Sequence, residues 1–234
     1  MPDDTGMITA NSLICWQICQ KCRLVSFSQG SLERQHINTS GNDSEICCPI
    51  CHADPSQKRP YFDSSLSVAL SFIQRAYQTK QNLEVVDTLA TQATDQYPVS
   101  ILVFLGVLQE LLLDHLLSQL AQTQKTPEAD RLLTQYQGYA QKQRLLFPQL
   151  AGMNWDAAMS NIQGGATFNC LEFNHRLKQL DQLKQRFIYL AYGWNISHQQ
   201  ALDCLNSVEP LINLHVLLHN HLVHPCYPSI LSQE

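Results

Sequence analysis

This chain is poor in charge. Only 15% of its 234 residues are Asp, Glu, Lys or Arg, and the balance is acidic, with a formal net charge of -5. That excludes a protein that coats nucleic acid through overall positive charge. No apolar run reaches the roughly 18 residues of a membrane span without interruption. The nearest, Val99 to Leu120, carries Gln109, Glu110, Asp114, His115 and Gln119, so no membrane span is expected. No signal-like leader opens the sequence, which points to a reducing, cytoplasmic setting and away from a disulfide framework. The pair Gly164-Gly165 lacks the preceding strand and the following Lys-Ser/Thr of a phosphate-cradling loop. After residue 61 nothing alternates as a strand does, and no internal repeat is visible.

Cysteine, by contrast, is plentiful. Six of the nine fall within the first 51 residues, as Cys15-x3-Cys19-x2-Cys22 and Cys47-Cys48-Pro49-Ile50-Cys51. Two C-x-x-C knuckles, Cys19/Cys22 and Cys48/Cys51, stand 25 residues apart. That spacing suits a tetrahedral four-cysteine zinc site, because each knuckle sets two thiolates one sulfur–sulfur edge apart and the loop folds the pairs together. Cys15 lies one helical turn before Cys19, Cys47 abuts Cys48, and His52 follows Cys51; each is an alternative ligand. The Cys-Pro-x-Cys order favours the tight turn that aims N–H groups at sulfur. Residues 26–46 are polar and cannot form a core alone, so metal would supply the folding free energy, on the order of 10 kcal/mol. A redox C-x-x-C of the thioredoxin kind needs a strand–turn–helix context that neither pair has. Residues 1–60 therefore read as a zinc-ribbon-like module.

Residues 61–234 read as an all-α bundle. Phe62–Tyr77 places Leu66, Ala69, Leu70, Ile73 and Tyr77 at three- and four-residue steps, and Leu83–Thr94 continues as a short second piece. Pro98 opens a long helix to about Gln122, apolar nearly all round and suited to a bundle centre. A helix from Thr126-Pro127-Glu128 to about Phe147 follows, then a connection over 148–170 with one short helix near Asp156–Ile162. Leu171–Tyr192 is helical, stopped by Gly193. Its basic residues Arg176, Lys178, Lys184 and Arg186, like Lys142 and Arg144 before them, read as a solvated face. Ser197 caps a helix to about Asn206, and Ser207 caps the last, which Pro225 ends near Val223. Cys170, Cys204 and Cys226 read as ordinary thiols, and Trp155 and Trp194 as packing.

The last helix holds the remaining chemistry. His215, His219, His221 and His224 are four of the chain's nine histidines within ten residues. His215 and His219 share a stripe and are one candidate metal pair, although no H-E-x-x-H glutamate accompanies them; His215 reads more simply as a hydrogen-bonded core residue. His221 is expected at the surface or an interface. His224, at a helix C-terminus, feels the negative end of the macrodipole, which suits proton donation near neutral pH.

The string Leu218-His219-Asn220-His221-Leu222-Val223-His224 resembles the end of HEPN domains, whose signature is Arg, usually then Asn, followed by a spaced His. Asn220 and His224 match it, and the arginine position holds His219. The family's long early helix carries an acidic residue amid apolar ones, as Glu110 does before Asp114. The resemblance covers residues 62–226 and leaves the cysteine module outside it.

The resemblance implies an RNA-directed protein, in its active form a metal-independent endoribonuclease of a host-defence or toxin system. It also implies a homodimer whose two terminal helices face each other across a composite site. Carried over, His224 is the acid/base, Asn220 orients the backbone or the histidine, and His219 stands in the arginine's place. Arginine offers phosphate a permanent, two-pronged charge that an imidazole does not. Two further readings follow: a HEPN protein that binds RNA, nucleotide or a regulatory protein without cleaving, and an adaptor whose histidines are structural.

Overall fold

The computed structural model describes residues 16–27, 47–73, 96–126, 129–163, 166, 168–190 and 196–224. The expected helix over Leu83–Thr94 lies outside these residues, as do Cys15, Gly164, Gly165, Gly193, Trp194, Pro225 and Cys226.

The protein is mostly helical, with one small sheet near its N-terminus. Strands β1 (Trp16–Cys19), β2 (Val25–Phe27) and β3 (Lys58–Pro60) pair antiparallel in the order β2-β1-β3. Ile18 sits opposite Val25 on one side and Arg59 on the other. The strands are three or four residues long, too short for alternation to announce them.

Eight helices are described: α1 (Ser64–Ile73), α2 (Gln96–Thr123), α3 (Ala129–Gln135), α4, α5 (Trp155–Ile162), α6 (Cys170–Leu190), α7 (His198–Asn206) and α8 (Val208–Val223). Helix α4 runs from Tyr139–Gln141 through a π-turn at Lys142–Leu146 into Phe147–Ala151. The single helix expected over 126–147 is thus two. Gly138 sits between them at φ 77, a left-handed conformation that interrupts α-helix. Helix continues past Pro148, whose missing N–H falls in the first turn after the π-turn, and stops at Gly152, φ 71.

Ser197 caps α7 with a full capping box to Gln200. Ser207 does not cap α8 as expected. Its backbone is helical, and its hydroxyl donates to Asp203 O at 2.6 Å, so α7 and α8 meet almost without a break.

Helix α2 is the centre. Its apolar side chains spread round the whole circumference, and α6, α7 and α8 all pack along it. Among the described residues it is the one helix whose length and apolar content match a membrane span, over Val99–Thr123; half of that stretch is buried within the protein, as in a core helix. Its acidic residues are paired inside the molecule: Asp114 with Lys142 at 2.5 Å, and Glu110 with Lys184 at 3.7 Å. Lys184 is not the solvated residue its helix face suggested. It lies on Gly106, where a Cβ would come within 2.4 Å of its Cδ, and Asp181 holds it at 3.0 Å.

The core does not stop at residue 60. Ile18, Val25 and Tyr61 belong to the same hydrophobic cluster as α2, α5 and α8. A second, much smaller cluster contains Cys19, Leu24, Cys48 and Ala53.

Candidate metal centre and the histidine-rich helix end

The two knuckles are built alike. Cys19 N–H donates to Leu24 O and Arg23 N–H returns to Cys19 O, at 2.9 and 2.8 Å. Cys48 N–H donates to Ala53 O and His52 N–H returns to Cys48 O, at 3.0 and 2.9 Å. The fifth residue of each, Arg23 at φ 68 and His52 at φ 53, takes the left-handed conformation that reverses the chain. The sixth, Leu24 or Ala53, is buried beneath the sulfurs.

Cys19, Cys22, Cys48 and Cys51 come together with their sulfurs all within 4.8 Å. Cys19 Sγ lies 3.6 Å from Cys51 Sγ, and Cys22 Sγ 3.5 Å from Cys48 Sγ. A tetrahedral ion with metal–sulfur bonds of about 2.3 Å needs sulfur–sulfur edges of about 3.8 Å, so the donor set fits a metal ion. Cys47 and His52 are exposed and outside the cluster.

The acid–base state of the thiols also calls for a cation. Burial raises the Cys19 thiol, but N–H groups of Cys22 and Lys21 and the Cys51 and Cys22 thiols outweigh it, leaving it at about 7. Cys22 and Cys51 are pushed up, first by desolvation and then by neighbouring thiols. One thiolate forms near neutrality; Cys22 and Cys51 need positive charge beside them.

The end of α8 meets this centre from behind. His219 Nε2 donates to Arg23 O at 2.8 Å, and His224 Nε2 donates to Cys22 O at 2.8 Å. Asn220 makes two bonds to Val25, accepting its N–H and donating to its C=O, each at 2.8 Å. Because β2 is an edge strand, Asn220 satisfies main-chain groups that no further strand pairs. His219 and Asn220 have no solvent exposure. Burial, aided by the Arg23 charge, lowers the His219 imidazole to about 4 and keeps it neutral at pH 7.

The structure brings the expected site residues His219, Asn220 and His224 together at the C-terminal end of α8. All three are committed to the main chain of the first knuckle and β2. His221, expected at the surface or an interface, is 9% exposed and its imidazole is lowered by burial. His215 bonds Leu211 O at 2.8 Å in the core, with its imidazole lowered by burial to about 4. His215 and His219 form no metal site among the described residues.

Several contributors have no signal in the sequence. Arg23 and Val25 act through main-chain atoms. Tyr61 and His115 wall in His219, with Tyr61 ring-centroid distances of 5.1 Å to His219 and 4.6 Å to His115. Separately, α6 and α7 flank a groove of about 340 Å³ lined by Arg176, Gln179, Gln182, Arg186, Gln200 and Asp203.

No family model, curated protein or solved structure matches this chain.

Proposed function

We propose that this protein is a zinc-stabilised, HEPN-like protein that binds RNA and, in its metal-loaded form, does not cleave it. The observation that carries the reading is the commitment of His219, Asn220 and His224 to module main chain. With no solvent exposure and its N–H given to Arg23 O, the neutral His219 imidazole has no proton to offer a leaving oxygen, and the Nε2 of His224 is held on Cys22 O. Zinc is the ion that four thiolates in a closed tetrahedral set favour, as a structural rather than catalytic centre.

RNA is favoured over a purely protein partner by the groove between α6 and α7. Guanidinium groups from Arg176 and Arg186 beside glutamine amides are the side chains that contact phosphate and sugar. Of the basic residues of α6, Arg176 and Arg186 line that groove, against Asp203 on the side of α7, whereas Lys184 is turned inward to Asp181 and Glu110. Pairing of two chains through α8, which the resemblance implies, would need a face other than Leu214–His221, all of it buried within one chain.

The test is fluorescence anisotropy with a mixed-sequence single-stranded RNA and zinc-loaded protein, without added magnesium. Binding that weakens steeply with salt, and at least tenfold in Arg176→Glu with Arg186→Glu, with the RNA left intact, is expected. No binding at 50 mM salt sinks the RNA reading, and cleavage by the loaded protein sinks the non-cleaving one.

A further inference from the structure

The stretch from Cys22 to Val25 faces two ways. Cys22 Sγ and the Leu24 side chain turn toward the sulfur cluster, while the carbonyls of Cys22, Arg23 and Val25 turn toward α8. The two sides are held by different means. Val25 and Ile18 belong to the main core, shared with the helices, so β2 and its bond to Asn220 have support independent of the sulfurs. The knuckle itself rests on Cys19, Leu24, Cys48 and Ala53, a cluster too small to hold a left-handed turn; the Arg23 side chain, donating to Gln119 and Gln122 of α2, tethers its tip but leaves the path of its main chain unfixed.

We infer that the metal is the latch of a local cover: its binding holds His219, fully buried, and His224, half-buried, on the first knuckle, and its loss frees those two while Asn220 stays paired with β2. The occupied centre sets the path of residues 19–24, and that path is what brings Cys22 O and Arg23 O within 2.8 Å of the two imidazoles. Without the ion the knuckle loses its fixed turn, and both acceptors leave together. Asn220 keeps its partner because Val25 is 1% exposed in the main core and paired with Ile18. The event at the sulfurs is thereby converted into exposure of two imidazoles on the last helix.

The experiment is carbethoxylation of the full chain by diethylpyrocarbonate, read at each histidine by mass spectrometry, with metal bound, stripped by chelator under reducing conditions, and restored. His215 is the internal control, because it is buried in the bundle core and bonded within its own helix to Leu211 O. Modification of His219 and His224 is expected to rise at least tenfold on stripping, with His215 unchanged and protection regained on restoring zinc. Unchanged rates at His219 and His224 would overturn the latch. So would equal loss of protection at His215, which would mean unfolding of the bundle. Hydrogen exchange at the Val25 amide checks the remaining part: protection kept in the stripped protein supports a local cover, and protection lost overturns it.

One consequence rests on the HEPN-like reading above. RNA incubated with stripped protein should then be cleaved, and His224→Ala should abolish that cleavage. An opened footprint without cleavage sinks this consequence and leaves the latch standing; a closed footprint sinks the latch whatever the RNA does.

Discussion

Asn220 and Val25 are 195 residues apart in the chain and joined by two 2.8 Å hydrogen bonds, one in each direction. The side-chain amide copies what a neighbouring strand would offer, and it does so in a fully buried setting. Replacing it with alanine leaves a donor and an acceptor unpartnered, each worth about 1–3 kcal/mol. Asn220→Ala should lower stability by about 2–5 kcal/mol, read as a fall in the urea midpoint with little change in slope. A loss below about 1 kcal/mol would show that water reaches β2 there.

Metal content gives a sharper number. One ion per chain is expected by mass spectrometry of metals, lost in Cys19→Ser with Cys48→Ser and retained in Cys47→Ser, since Cys47 is exposed and outside the sulfur cluster. Protein that is metal-free as isolated, with the turns at Arg23 and His52 still formed, would refute the centre.

Acid should destabilise the fold before any carboxylate titrates. His215 and His219 are held at about 4 by burial, against 6.5 for the ordinary imidazole. Between those values the unfolded chain binds more protons than the folded one, so stability is full above about 6.5 and falls as pH drops toward 4. Each histidine contributes about 1.4 kcal/mol per pH unit in that window. Urea midpoints at pH 7, 6 and 5 should show the decline, and His215→Gln should shallow it by about one proton while leaving the four-cysteine centre unaltered.

Gly106 and Lys184 should be coupled. Gly106→Ala gains about 1 kcal/mol of helix propensity but drives a Cβ into the lysine stem, displacing Nζ from Asp181. A double-mutant cycle with Lys184→Ala should give a coupling of about 1 kcal/mol or more, because alanine at 184 removes the obstruction. Additive effects would place the lysine elsewhere.

The cysteine cluster was legible because its signal is local: two spaced pairs carry their own turn geometry, and the helices after residue 61 announce themselves by periodicity. What the end of α8 does was not. The acceptors for His219, Asn220 and His224 are main-chain atoms of residues 22, 23 and 25, and a carbonyl oxygen looks the same whatever residue bears it. Read locally, clustered histidines suggested chemistry; across the fold they are a clasp. Lys184 misled for a related reason, since the space it occupies is made by a glycine 78 positions earlier.

The clasp also sets an order of events at the ribosome. At about 5–20 residues per second, roughly 10–40 s separate synthesis of Val25 from synthesis of Asn220, and the outer side of β2 has no partner during that interval. A metal ion captured early would shape the knuckle, but the nascent edge stays open to other strands until the last helix arrives. Slowing translation late in the message should therefore raise the aggregated fraction more than slowing it early.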